Sequence, residues 1–282
     1  MAYTRAEIRR RVGYDLREMV EGSVTASTIT SLTDSALVDA LASEESYEGA
    51  WVYVTSGTLA GEQRRVASYV PSTGELAVSR NFASNPAGSV TFEVHTRVEP
   101  AALNRMISQV LRRIPERRDL LIDVVSGQRA YSLAAYTEIT NPEQVVCLEY
   151  KLGDDTYGHV YHPYDADWEI RDIDGTLTLM LRPRGDDDSV IRLVYNAPYE
   201  ELDEDDDETN CPIDLVAAGV RAEAYLWLSR EAPADDAVRY QKLYSQERNE
   251  FRRLMMQHGQ RPTVRAYHRS DVGVGLPYTA VE

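Results

Sequence analysis

His159 and His162 in HVYHPYD are two imidazoles of the kind a metal site would use. In a strand an offset of three puts them on opposite faces, so they read as exposed or packing residues. Asp203, Asp205 and Asp207 alternate like the opening of a calcium loop, and Asp214 falls at its twelfth position. Glu208, however, stands where the sharp turn needs glycine, and Pro212 interrupts the end. A third stretch, SGTLAGEQRRVASYVPSTGEL (56–76), suggests a phosphate loop, which requires G-x-x-x-x-G-K-[ST] between a strand and a helix. Gly57 and Gly61 are separated by only three residues, and Glu62 and Gln63 replace the lysine and hydroxyl. A carboxylate there repels a phosphate, and the following residues read as a strand with a hairpin turn at Pro71 to Gly74. There is no G-x-S-x-G elbow and no H-E-x-x-H, and no carboxylate pair is singled out for acid and base roles. The expectation is a protein that is not an enzyme, with no cofactor, metal or catalytic residue.

The conspicuous charged features are arginines. Arg9, Arg10 and Arg11, then Arg112, Arg113, Arg117 and Arg118, form the basic clusters, each expected on a helix or at its end. Such clusters commonly make solvated faces with weak ion pairs. The sharper reading is that they meet acidic faces of neighbouring copies, because the chain carries a net charge of −16. That charge repels nucleic-acid phosphates, so sequence-specific DNA reading is not expected. The 18 tyrosines against 3 phenylalanines fit contact surfaces, where a ring with a hydroxyl tolerates water. Cys147 and Cys211 have no nearby thiol and read as buried or idle. No apolar run is long enough to span a membrane, and the N-terminus has charges where an export signal needs an apolar core, so a cytoplasmic origin is expected.

The elements that would position these residues follow from periodicity. TRAE (4–7) fits a capping box, and Ile8, Val12, Leu16 and Met19 recur at helical spacing. Ser/Thr-rich and strand-like texture runs through 22–98. Pro100 suits a first helical position, with Leu103, Ile107, Val110 and Ile114 forming a stripe until Pro115. Strands return from 119 to 202, with Asp174–Gly175 as a hairpin turn. The acidic run EELDEDDDE (200–208) reads as solvated linker. Ile213, Ala217, Val220, Ala224 and Trp227, then Tyr240, Tyr244, Phe251 and Leu254, mark a final helix pair broken at Pro233. The expected fold is α+β. A bundle of four amphipathic helices (1–21, 99–118, 210–259) carries two inserted β modules (22–98 and 119–202), an acidic linker (203–209) and an extended C-terminal arm (260–282).

GAWVYVTSGTLAGEQRRVASYVPSTGELAVSRNF with NPAGSVTFEV resembles a β module common in virion proteins of tailed bacteriophages. NAPYEELDEDDDETNCPIDLVAAGVRAEAYLWLSRE resembles the end of phage neck proteins, with a Tyr/Pro strand, an acidic linker and a helix. With the bundle, these stretches resemble head-tail connector, or adaptor, proteins. The resemblance implies a virion protein of the neck that forms a ring of about twelve copies. Its implied partners are a portal protein and a tail or stopper protein, with the ring continuing the DNA channel; acidic residues facing that lumen, which the chain's own charge suggests, would let DNA pass without sequence-specific binding. The arm residues Val264, Tyr267, Val272, Leu276 and Tyr278 would then order on a neighbouring copy or on the portal. Alternatives are a tail or baseplate component, and a carbohydrate-binding module in which Trp51 and Trp168 stack on sugars.

Overall fold

The computed structural model describes residues 2–259 except 40, 87, 89, 154–155, 162–167 and 182–189. His162 and the expected arm, with Val264, Tyr267, Val272, Leu276 and Tyr278, lie outside the described residues. The order begins β1 (Tyr3–Thr4), α1 (Arg5–Asp15), β2 (Met19–Ser23), β3 (Ala26–Ser27), β4 (Ser31–Thr33), β5 (Trp51–Val54), β6 (Gln63–Val70), β7 (Glu75–Val78), β8 (Thr91–His95) and α2 (Pro100–Leu111). It continues β9 (Pro115–Asp123), β10 (Ala130–Ser132), β11 (Val145–Gly153), β12 (Thr156–Tyr161), β13 (Trp168–Ile173), β14 (Thr176–Leu181), β15 (Val190–Pro198), β16 (Glu208–Thr209), α3 (Ile213–Glu231) and α4 (Ala234–Gly259).

Two compact units result, the first from Met1–Ile114 with Tyr199–His258 and the second from Pro115–Pro198. In the first, an antiparallel sheet of seven strands runs β2-β8-β5-β6-β7-β4-β3 around a core that includes Leu32, Val52, Tyr69, Leu76 and Phe92. Apolar residues alternate along its strands, as in β7, where Leu76 and Val78 are buried between more open neighbours. Gly74 turns β6 into β7 at φ +70°, and a Cβ there would lie 2.1 Å from the Asp34 carbonyl oxygen, so the turn needs glycine. A second core joins Ile8 and Val12 of α1, Leu103 and Ile107 of α2, and Val216 and Val220 of α3. In the second unit the sheets β12-β11-β15-β9 and β10-β14-β13 share one core, including Leu148, Leu193, Trp168 and Leu179. Asp174 and Gly175, both left-handed, turn β13 into β14 as expected.

The expected helical bundle with two inserted β modules is overturned. Strands in several antiparallel sheets dominate over four helices among the described residues, and the seven-stranded sheet belongs to the same compact unit as α1, α2, α3 and most of α4. Boundaries moved for physical reasons. α1 stops at Asp15, and Met19, expected on its apolar stripe, instead pairs with His95 as β2 becomes the edge strand beside β8. α2 stops at Leu111, and β9 begins at Pro115, so Arg117 and Arg118 lie on a strand. Backbone pairing along nine residues of β15 decided this, from Pro115 opposite Pro198 to Asp123 opposite Val190. The acidic run is no free linker either. β16 pairs with β1, Leu202 is buried and Asp205 is half-buried.

Candidate functional site

The Thr4 hydroxyl accepts from the Glu7 amide at 3.2 Å, and the Glu7 carboxylate accepts from the Thr4 amide at 2.9 Å. This cap fixes where α1 starts and so which face it buries, namely Ile8, Arg9, Val12 and Gly13. Arg9 thereby carries its guanidinium into the interior with 0% exposure.

All five N–H donors of Arg9 are used. Nε and Nη2 donate to the two Glu93 oxygens at 2.8 and 3.2 Å. Nη1 and Nη2 donate to the two Asp205 oxygens at 2.7 and 2.9 Å, and Nη1 also donates to Asn104 Oδ1 at 3.0 Å. The guanidinium lies 4.2 Å from the Tyr53 ring centre, and the Tyr53 hydroxyl donates to Asp205 at 3.0 Å. Arg5 Nε donates to Asp205 at 3.1 Å, and His95 Nε2, which must donate because a carboxylate only accepts, lies 3.0 Å from Glu93. One cluster therefore ties together α1, β5, β8, α2 and the acidic run.

Burial alone would lower the Arg9 pKa, but the hydrogen bonds and charges of Asp205 and Glu93 outweigh it and hold the value above its ordinary range. Burial likewise pushes Glu93 up, but His95 and Arg9 bring it below its ordinary value. Asp205 is also lowered, as Arg9, Tyr53 and Arg5 overcome its burial. All three groups stay charged and mutually satisfied, which suits a rigid joint better than proton transfer.

A cleft of about 660 Å³ opens beside the joint, lined in part by Glu21, Asp34, Glu93, Asp205, Asp206 and Arg10. Asp34 accepts from the amides of Ser23 and Ala36 at 2.6 and 2.8 Å. Glu21 accepts from the Tyr14 hydroxyl at 2.9 Å and pairs with Arg10 at 3.4 Å. Most of its acids are thus engaged by the protein itself. Among the described residues no group of three His, Cys, Asp or Glu is placed to hold a metal ion. A smaller groove of about 220 Å³ lies where α2, α3 and α4 meet, lined in part by Arg113, Gly219, Glu223, Tyr244, Arg248 and Arg252.

The residues singled out by sequence are dispersed. Arg10 is half-buried, Arg11 is exposed and pairs with Asp15 at 3.3 Å, and Arg9 is withdrawn from the surface altogether. Arg112 and Arg113 are exposed and pair with Glu201 and Glu223. Arg117 and Arg118 are half-buried in the second unit. Arg117 Nη2 lies 3.9 Å from Cys147 Sγ, and Arg118 pairs with Glu116 at 2.6 Å and Glu138 at 2.7 Å.

The alternating aspartates do not converge as a calcium loop. Asp205 joins Arg9, Asp207 accepts from the amides of Asp203 and Glu204 at 2.7 Å, and Asp214 faces Arg11 at 3.7 Å. Glu62 pairs with Arg64 at 2.6 Å, and Gly57 and Gly61 turn the chain between β5 and β6 rather than opening a helix. His159 is placed by its backbone in β12, paired with Tyr150. Trp168 is buried, so it forms no exposed platform for sugars. Both cysteines are buried and neither forms a disulfide, and burial pushes the Cys147 thiol up, away from the reactive thiolate.

Sequence reasoning missed the Arg9 joint. Its signal was present, since Arg9 lies beside Val12 at the edge of the apolar stripe, where a buried cation demands carboxylates. Compared with known proteins, the chain matches no family model and no curated protein.

Proposed function

We propose that this chain is a structural virion protein, a head-tail connector that assembles as a ring between a portal protein and a tail or stopper protein. One observation supports the reading more than any other. The two stretches that carry the resemblance to virion proteins meet in a single buried joint, where Tyr53 of the first donates to Asp205 of the second at 3.0 Å over Arg9. A joint in which all five Arg9 donors and both oxygens of Glu93 and of Asp205 are engaged suits a part that must hold its shape under load. The net charge of −16 suits a channel that DNA traverses without sticking or being read, the lumen's acidity being part of the proposal. No helix among the described residues is long and apolar enough to cross a membrane.

The experiment is co-expression with the portal protein of the same genome, followed by native mass spectrometry and electron microscopy. The expected product is a portal-bound ring with cyclic symmetry, contributing roughly 380 kDa if about twelve copies of the 31.8 kDa chain close. Absence of the chain from purified virions, or its location at the tail tip, overturns the reading.

A further inference from the structure

We propose that the groove where α2, α3 and α4 meet receives the exposed carboxylates of the acidic run of a second copy of this chain. The inference rests on the reading of a self-assembling protein and names the contact by which copies join. The groove has a concave volume of about 220 Å³ and brings Arg113, Arg248 and Arg252 around Tyr244 and Phe251. Glu223 neutralises Arg113. The Arg248 guanidinium lies 5.8 Å from the Tyr244 ring centre, and both Arg248 and Arg252 are exposed. This leaves two cations in a concave, partly aromatic site on a chain whose net charge is −16. Guanidinium forks against an aromatic wall are suited to carboxylates.

The complementary surface is the tip of the acidic run, where Asp203, Glu204 and Asp206 are exposed. Its backbone is already held. Asp207 accepts from the amides of Asp203 and Glu204, Arg5 donates to the Leu202 and Asp203 carbonyls, and Asp205 is locked onto Arg9. A tip fixed in this way loses little freedom on docking. It is anchored to α1 and β5, whereas the groove is built from α2, α3 and α4. The two patches are made of different residues, so the contact joins the groove of one copy to the tip of another, and in the connector reading it is heterologous and repeats around the ring.

The test uses the full chain and follows self-association by sedimentation velocity and native mass spectrometry at low and high ionic strength. Wild type is expected to associate, and salt to weaken the association. The groove variant R248E/R252E and the tip variant D203R/E204R each replace exposed side chains. Each is expected to keep wild-type circular dichroism and to lose roughly tenfold or more in association affinity. Combining all four substitutions in one chain is expected to restore association, because the reversed charges again face each other. A wild type that stays monomeric at low ionic strength overturns the contact, as does a folded single-patch variant that associates normally or a four-fold variant that stays weak. Portal-bound rings that persist with either single-patch variant discard this contact while leaving the connector reading in place.

Discussion

Arg9 in the first unit and Arg118 in the second are each gripped by two carboxylates, yet the two sites differ in nearly everything else. Arg9 has no exposure, and its partners come from β8 and the acidic run, 84 and 196 residues away. The Arg118 side chain is 23% exposed, and its partners Glu116 and Glu138 lie 2 and 20 residues away. In both, burial lowers the arginine pKa and the carboxylates raise it beyond its ordinary value. Glu138 also accepts from the Tyr195 hydroxyl at 2.9 Å, which lowers its own pKa. The Tyr195 phenol is pushed up to about 12, by burial first and then by Glu138. The same pairing therefore serves as a buried joint of remote segments in one unit and as a local, wetter clasp in the other. Solvent access, more than the number of bonds, decides how much each arginine contributes.

The largest expected effect comes from removing Arg9. Arg9→Met takes the cation from between Glu93 and Asp205 and leaves only Arg5, on the Asp205 side, and the first unit should lose about 3–5 kcal/mol. Hydrogen exchange in α1 and β5 would report it, and a loss below about 1 kcal/mol would erase the contrast between the two sites.

Glu18 sharpens the contrast, because it is a buried carboxyl without a cationic clasp. Its Oε2 accepts from the Val98 amide at 3.0 Å, and its Oε1 has no hydrogen-bond partner. Burial raises its pKa from 4.5 to about 7, against the opposing effects of the Val98 amide and Arg97. Between these values the folded chain holds a proton that the unfolded chain has released, so stability falls as pH rises from 4.5 to about 7. Glu18→Gln removes that slope, and its advantage over wild type should grow by about 3 kcal/mol across the window. Denaturation midpoints measured against pH decide the matter, since parallel profiles would show that Glu18 does not titrate there.

A smaller effect is expected from Gly219→Val. A Cβ at this position would lie 2.6 Å from Val110 Cγ1 and 3.0 Å from the Phe251 ring, so the Val110 and Phe251 side chains or the helices that carry them must shift. The cost should be about 1–3 kcal/mol, with increased exchange in α4. Protection of α4 unchanged from wild type would mean that the packing yields elsewhere. The smallest effect belongs to Arg118→Met, expected at no more than about 1 kcal/mol. Chemical denaturation monitored by Trp168 fluorescence would measure it, and a value matching that of Arg9→Met would remove solvent access as the deciding variable.

Local features were legible because neighbouring residues encode them. The Thr4 and Glu7 cap, Pro100 at the start of α2, the Asp174–Gly175 turn and the acidic first turn of α4 all needed only short-range chemistry. The same patterns misled where long-range pairing competed. Met19 continues a helical period but joins a sheet edge, and Arg117 and Arg118 follow α2 in sequence but pair along β15. Nothing in DEDDD distinguishes Asp205 from its neighbours, since its role depends on a guanidinium and a phenol brought from distant segments.

By itself, then, the amino-acid sequence determined caps, turns, strand texture and a strongly acidic balance, because these depend on residues a few positions apart or on composition alone. Only the tertiary structure decided that strands outweigh helices in the architecture, that the first sheet and the helices share one compact unit, and that Arg9 is interior while Arg10 and Arg11 are not. The physical reason is the same in each case. Backbone pairing and charge burial are satisfied by partners tens to hundreds of residues away, and the fold alone chooses them.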